Sequence, residues 1–228
     1  MSLPNARNIV ELRQLLAERF PGVRMSAERP ESISQSCVTG IPQIDSLLHG
    51  GLPKGGITEI TSAGLSSGSL LFLGSVLQEA QRRGDWLAIV DAADSFDPAG
   101  LDPEALSRLL WVRSSSVKDA IKATDLLLHD GTISVVALDL VFCAHNQLRK
   151  IPSSTWFRLQ RILDYNSTAL VVLAPEHLIS NAQARLALEK RFNLESMDQP
   201  REVLQARIAP VVPEIAGRHI VKRIAKIA

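Results

Sequence analysis

The residues whose types and spacing are best suited to chemistry form a short loop over residues 63–70, with the sequence A-G-L-S-S-G-S-L. Its spacing matches the phosphate-binding pattern G-x-x-x-x-G-K-[ST], in which the lysine contacts the β- and γ-phosphates and the hydroxyl binds magnesium. Here Ala63 replaces the first glycine, Ser69 replaces the lysine and Leu70 replaces the hydroxyl residue. Since serine carries no positive charge and leucine cannot ligate a hard cation, we predict that this chain does not hydrolyse nucleotides and is not an enzyme.

Part of the anion-binding geometry survives in this loop. Backbone N–H groups at the start of a helix form an anion site, so weak binding of ATP or another anion is one interpretation. The alternative is a turn that only joins a strand to a helix, and in either case we expect no required cofactor and no metal site. The candidate vestigial nucleotide-binding residues are Gly64, Ser66, Ser67, Gly68, Ser69 and Asp139.

The elements that must position this loop alternate between strands and helices. Apolar runs predict strands over residues 57–61, 86–91, 110–112, 133–138 and 168–174. Three- and four-residue apolar spacing, with capping residues, predicts helices over 69–83, 103–109, 116–129 and 153–165. This order predicts an α/β fold with a mostly parallel central sheet. Residues 185–191 and 203–208 alternate polar and apolar side chains, which predicts an antiparallel C-terminal hairpin.

An amphipathic helix is predicted ahead of this core, over residues 6–20. Its apolar stripe cannot be buried by the helix alone, so it must dock on its own core or on a neighbour. Leu12 and Leu16 of that stripe are therefore partner-binding candidates. Polar residues and Pro30 follow as a linker. We divide the chain into an N-terminal helix and linker (1–36), a core (37–210) and a basic tail (211–228).

Composition limits where this chain acts and what it binds. The net charge is +1, which gives no general nucleic-acid signal, but residues 185–228 hold nine Lys/Arg against five Asp/Glu. Cys37 and Cys143 lie in no metal-ligand spacing, which indicates reduced thiols. The first 24 residues lack the apolar core of a signal peptide, and no apolar run approaches about 18 residues. We therefore expect a cytoplasmic protein with no membrane partner.

The run over residues 38–60, V-T-G-I-P-Q-I-D-S-L-L-H-G-G-L-P-K-G-G-I-T-E-I, resembles the segment that precedes the phosphate loop in the RecA/Rad51 superfamily. Residues 88–98 resemble the second strand of those recombinases and the turn that carries a catalytic glutamate. Ala93 stands at that position, and Asp94 is one residue off. Residues 134–139 look like the Walker B strand, which ends at Asp139. The resemblance covers about residues 36–175 and implies a RecA-like core.

Within the superfamily the chain resembles the ImuA group of bacterial mutagenesis accessory proteins, through its short length, the stretch S-R-L-L-W-V-R at 107–113 and the missing lysine. This resemblance implies a non-catalytic role in the DNA-damage (SOS) response and in error-prone translesion synthesis. The implied partners are an ImuB-type Y-family polymerase homologue, an error-prone replicative-type polymerase and RecA, and self-association is an open alternative. A second interpretation is a divergent nucleotide-binding recombinase or RadA/KaiC-like ATPase that takes its lysine from Lys54 or a neighbouring subunit.

The same resemblance places two DNA-binding loops after the strands that end near Asp139 and Ala174. The first loop, residues 140–152, carries few cations, and the second, residues 176–181, is short and lacks an aromatic residue for base stacking. Recombinase-type DNA binding should therefore be weak or absent. The basic candidates for contact with a partner or DNA are Arg149, Lys150, Arg218, Lys222, Arg223 and Lys226.

Overall fold

Nine strands carry the fold in the computed structural model, which describes residues 36–62 and 66–212, without the Met197 side chain. In chain order they are β1 (Ser36–Cys37), β2 (Leu52–Pro53), β3 (Ile57–Ser62), β4 (Leu87–Asp91), β5 (Leu109–Arg113), β6 (Val135–Asp139), β7 (Ala169–Ala174), β8 (Ala184–Leu188) and β9 (Pro210–Val211). Seven of them form one sheet in the order β5-β4-β6-β7-β3-β8-β9, and β1 and β2 form a small antiparallel pair.

Seven α-helices and a 3₁₀ helix connect these strands in the described part of the chain. The α-helices are α1 (Pro42–Leu47), α2 (Ser69–Arg83), α3 (Pro103–Leu106), α4 (Val117–Asp130), α5 (His145–Leu148), α6 (Ser153–Leu163) and α7 (Arg201–Ala206). The 3₁₀ helix spans Leu194–Asp198. All described residues lie in one unit, Gln35–Ala228, and the predicted helix over residues 6–20 lies outside the described residues.

The central sheet is parallel from β5 to β8, and only β9 pairs antiparallel. Every residue of β4, β6 and β7 is buried, as expected for strands covered by helices on both faces. Successive residues alternate between two cores, one beneath α1 and α2 and one beneath α4 and α6. The predicted α/β fold with a mostly parallel sheet is therefore confirmed.

Local sequence signals account for several helix ends. The Ser116 hydroxyl accepts a hydrogen bond from the Asp119 N–H at 3.2 Å and caps α4, and the Asp102 carboxylate caps α3 in the same way. Gly84 and Gly131 follow α2 and α4 with φ of +74° and +70°. Because this left-handed region favours glycine, each residue ends its helix where the sequence places it.

The C-terminal hairpin was predicted with the wrong second strand. Strand β8 does pair antiparallel with a later strand, but that strand is β9, which follows the predicted segment 203–208. Residues 201–206 instead form helix α7, with Leu204 buried in it and Ile208 buried just beyond it. The four-residue spacing of these two side chains suits one helical face, and Pro200 stands at the N-cap. No helix in the described ranges has the length and apolar character needed to cross a bilayer.

The N-cap of α4 makes a quantitative prediction about stability. Ser116→Ala leaves the Asp119 N–H without its side-chain acceptor, so the free energy of unfolding should fall by about 1 kcal/mol. Urea denaturation of the full chain measures this change. Ser115→Ala is the matched control, since Ser115 is exposed one residue earlier and should have little effect. Equal effects of the two substitutions would contradict the capping role.

Candidate functional site

The phosphate-loop remnant joins β3 to α2 at the carboxyl end of the sheet, where parallel α/β folds bind ligands. Residues 63–65, and with them the candidate Gly64, lie outside the described residues. Ser66 and Gly68 adopt positive φ of +62° and +93°, and Gly68 stands at the N-cap of α2. The hydroxyls of Ser62 and Ser67 are hydrogen bonded across the loop. The turn is thus held from within by neutral groups.

The two positions that carry the lysine and the magnesium-binding hydroxyl in working loops take part in packing here. Ser69 begins α2 and is half-buried. Leu70 is also half-buried and packs against the apolar core beneath α1 and α2. A leucine that faces this core offers no oxygen to a cation, and Ser69 offers no positive charge to a phosphate.

The segment that follows β8 packs against the same loop. The Phe192 N–H donates a hydrogen bond to the Ser66 carbonyl at 2.8 Å. A side chain at Gly68 would meet the Phe192 ring at 3.1 Å and Ile208 at 3.6 Å. One side of the loop is therefore closed by two apolar side chains from the C-terminal part of the core, a contact that the sequence did not predict.

The carboxylates of Asp91 and Asp139 end neighbouring parallel strands and lie side by side in the β4–β6 register. Asp139 accepts a hydrogen bond from the Val141 N–H at 3.0 Å. Burial raises the pKa of Asp139 to about 6; the Val141 hydrogen bond opposes this shift and the Asp91 charge adds to it. Asp139 is thus a buried carboxyl that keeps its proton to a higher pH than an exposed aspartate does.

Asp91 organises the turn in which recombinases place the catalytic glutamate. Its fully buried carboxylate accepts hydrogen bonds from the N–H groups of Ala93, Ser95 and Phe96 at 2.9–3.2 Å. The Asp94 carboxylate pairs with the Arg113 guanidinium of β5 at 2.5 and 2.6 Å. That hydrogen bond lowers the pKa of Asp94. Asp91 is thus engaged within the turn and Asp94 with β5.

The first predicted DNA loop, over residues 140–152, contains α5 and exposes its two cations, Arg149 and Lys150. The Arg149 guanidinium lies 3.8 Å from the Glu176 carboxylate, which also contacts His145 at 3.1 Å. The hydrogen bond from His145 lowers the pKa of Glu176, so this carboxylate stays ionised beside Arg149. Part of the positive charge of this loop is thereby offset from within the protein.

The second predicted DNA loop is fixed to the sheet by a buried carboxylate that the sequence analysis missed. Glu59 lies in β3 and is fully buried, and it accepts hydrogen bonds from the N–H groups of Leu178 and Ile179 at 2.6 and 2.9 Å. Arg185 of β8, 7% exposed in its side chain, donates to the same carboxylate at 3.0 Å and also to the Ile179 carbonyl. The loop after β7 is therefore held against one face of the sheet.

A sequence signal for this pair did exist. Glu59, between Thr58 and Ile60, is a charged residue inside a predicted strand, and Arg185 lies in a segment predicted to alternate polar and apolar side chains. Such residues are rarely buried unless they are paired. The other candidates, Leu12, Leu16 and the four cations of the tail, lie outside the described residues. Among the residues that the structure describes, no cluster of three or more His, Cys, Asp or Glu side chains is placed to hold a metal ion.

Comparison with known proteins agrees with the α/β fold described above. The family model of the RecA N-terminal domain matches residues 22–148, which is more than half of the chain. The protein RecA of Chlorobium chlorochromatii is 36% identical over 113 residues, which cover 47% of this chain and 31% of that protein. The protein RecA of Brucella anthropi is 34% identical over 125 residues, which cover 52% and 34% respectively. The matched part thus spans about a third of the length of these relatives.

The buried pair Glu59–Arg185 should contribute strongly to stability. Glu59→Gln leaves the Arg185 guanidinium buried beside a neutral amide, which should lower the free energy of unfolding by about 3–5 kcal/mol. Urea denaturation measures the loss, and amide hydrogen exchange should accelerate at Leu178 and Ile179. Asp94→Asn is the control, because both side chains of the Asp94–Arg113 pair are more than half exposed and its loss should change the free energy of unfolding far less. A similar loss of unfolding free energy in both variants would contradict this role of the Glu59–Arg185 pair.

The raised pKa of Asp139 predicts a pH dependence. Since its folded pKa of about 6 exceeds the ordinary value of 3.8, the folded protein keeps a proton that the unfolded chain loses between these two pH values. Stability from this group should therefore fall as pH rises through that window, by on the order of 2–3 kcal/mol. Asp139→Asn removes the effect, so its stability relative to wild type, measured by urea denaturation, should rise between about pH 4 and 6. A difference in the free energy of unfolding between Asp139→Asn and wild type that stays constant with pH would contradict the prediction.

Proposed function

Because the chain belongs to the RecA N-terminal domain family, we propose that it is a RecA-like accessory protein that works through contacts and does not turn over nucleotides. The proposed setting is the bacterial DNA-damage response and error-prone translesion synthesis. The RecA proteins that match the chain support a link to DNA repair. The finer assignment to the ImuA group rests on the stretch at residues 107–113 and on the altered phosphate loop.

The observation that carries this proposal is the chemistry of the loop at the start of α2. The residues there do not fit a magnesium nucleotide, since Ser69 is neutral and Leu70 packs into the apolar core. Phosphoryl transfer depends on positioned cations that neutralise developing charge. Phe192 and Ile208 support the proposal further, because they pack where Gly68 would otherwise have open space.

The proposed contacts are with an ImuB-type Y-family polymerase homologue, an error-prone replicative-type polymerase and RecA. Direct binding of DNA is expected to be weak. The loop after β7 is clamped by Glu59, and Arg149 of the first loop lies beside Glu176, so neither loop is free to follow a strand of DNA with several cations. Basic contacts are instead assigned to the tail, whose cations are Arg218, Lys222, Arg223 and Lys226.

A nucleotide-driven protein that recruits Lys54 is the competing hypothesis. Lys54 precedes β3, whereas the phosphate loop follows its last residue, Ser62. A strand of this length separates its two ends by about 17–20 Å, which exceeds the reach of a four-carbon side chain. The geometry therefore disfavours a lysine supplied by this position of the same chain.

The absence of nucleotide turnover is directly testable. We expect calorimetry with ATP, with and without Mg²⁺, to show no tight binding, and phosphate release to stay at background. Ser69→Asp is the diagnostic variant, because an acid at a helix start favours the helix and repels phosphate. Turnover that copurifies with the wild-type chain and disappears in Ser69→Asp would overturn the proposal.

The tail makes a separate prediction about partners. Deleting residues 215–228 should leave the unfolding transition of the core unchanged, since the last described strand, β9, ends at Val211. The same deletion should weaken binding to the polymerase homologue or to RecA, or abolish any salt-dependent binding to DNA, in pull-down and anisotropy measurements. Retention of all three by a folded truncated chain would place the contact surface elsewhere, and Leu12→Asp would then test the N-terminal segment.

A further inference from the structure

A surface groove of about 630 Å³ lies between α4 and α6, on the face of the sheet opposite α2. It is formed by different elements from those of the phosphate loop and the two predicted DNA loops. Its floor contains Leu128, which is fully buried, and the half-buried Ile162. The lining residues are Asp125, Leu128, His129, Ser154, Phe157, Arg158, Arg161, Ile162, Tyr165 and Asn166.

Two aromatic rings at this groove are left in solvent. Phe157 is 52% exposed and Tyr165 is 85% exposed. Phe157 and Arg161 are four residues apart on α6 and share one face, and Tyr165 follows in the turn after that helix. Exposed aromatic side chains and arginines are enriched at the centres of protein interfaces. The groove therefore has the composition of a binding surface.

The charges of the groove are unbalanced. Asp125 lies 3.2 Å from the Arg158 guanidinium and 3.8 Å from the His129 ring, so its charge is already offset. Arg161 is exposed and makes no hydrogen bond or ion pair within residues 36–62 and 66–212. Among the described residues the Arg161 charge is thus unpaired, in a groove that also contains two exposed rings and apolar side chains.

We propose that this groove binds an amphipathic segment of another protein that presents apolar side chains to its floor and a carboxylate to Arg161. Amphipathic helices commonly bind in such grooves through apolar residues spaced three and four apart. A carboxylate opposite Arg161 forms a charge-assisted hydrogen bond with its guanidinium. Single-stranded nucleic acid fits less well, because Asp125 lies in the groove and one unbalanced cation provides little affinity for a phosphate backbone.

The chain provides a selective probe of this surface, because Tyr165 is its one tyrosine. Full-length protein grown with 3-fluorotyrosine gives a single ¹⁹F NMR signal that reports on the groove. Two designed helical peptides of about 14 residues serve as ligands. They share leucines at positions i, i+3, i+4 and i+7, and they carry either glutamate or lysine beside that stripe.

The glutamate peptide should shift the Tyr165 signal with saturation, and the lysine peptide should bind about tenfold more weakly or not at all. Arg161→Ala should abolish the preference for glutamate, and Phe157→Ala should weaken both peptides. Leu194→Ala is the control, because Leu194 is 87% exposed outside the groove and its loss should change neither affinity. All three substituted side chains are exposed, and urea denaturation checks that each variant is folded. If Phe157→Ala does not fold, the loss of the glutamate preference in Arg161→Ala alone tests the proposal.

Four results would overturn the proposal. The first is no shift with either peptide up to about 1 mM. The second is equal affinity for the two peptides in the wild-type chain. The third is tighter binding of an oligothymidine, which would make the groove a nucleic-acid surface. The fourth is a ¹⁹F signal whose position changes with protein concentration alone and no longer changes in the Phe157→Ala variant. That result would make the occupant a second copy of this chain.

Discussion

The bond between the Glu59 carboxylate and the Arg185 guanidinium determines how the C-terminal half of the core is arranged. A carboxylate in the middle of a buried strand is very costly unless charges and donors surround it. Arg185 and the N–H groups of Leu178 and Ile179 supply these partners, and each can do so only if β8 lies beside β3 and the preceding loop folds onto the sheet. One buried charge therefore joins β3, β8 and the loop after β7.

The position of β8 then decides what packs against the phosphate loop. Because β8 is parallel to β3 and adjacent to it, both strands end at the same edge of the sheet. The chain that leaves β8 must pass the loop that leaves β3, and Phe192 does so with a hydrogen bond to Ser66 and a ring against Gly68. The covering of one side of the loop by Phe192 is thus a consequence of sheet topology.

Sequence patterns predicted the elements whose signals are local and agree with one another. Helix α2 was predicted with its observed ends, because an apolar stripe and Gly84 point to the same boundaries. The prediction of a strand over 203–208 was wrong because its short run of apolar residues fits both a strand and a helix. Pro200 at the N-cap and tertiary packing favour the helix. The sequence marks Glu59 and Arg185 as charged residues within strands, but they lie far apart in the chain, so no local pattern in a single sequence reveals that they pair.

The backbone at the start of α2 includes a non-glycine residue with positive φ that contacts within the chain must hold. A non-glycine residue at positive φ, as at Ser66, costs roughly 1–3 kcal/mol unless its surroundings hold it. In a nucleotide-driven protein, bound phosphate can supply that support. Here the Ser62–Ser67 hydrogen bond and the Phe192 N–H supply it in the same chain. Ser66 and Ser67 are thus held by contacts within the chain, so our proposal that the protein does not turn over nucleotides needs no ligand to account for the conformation of these two residues.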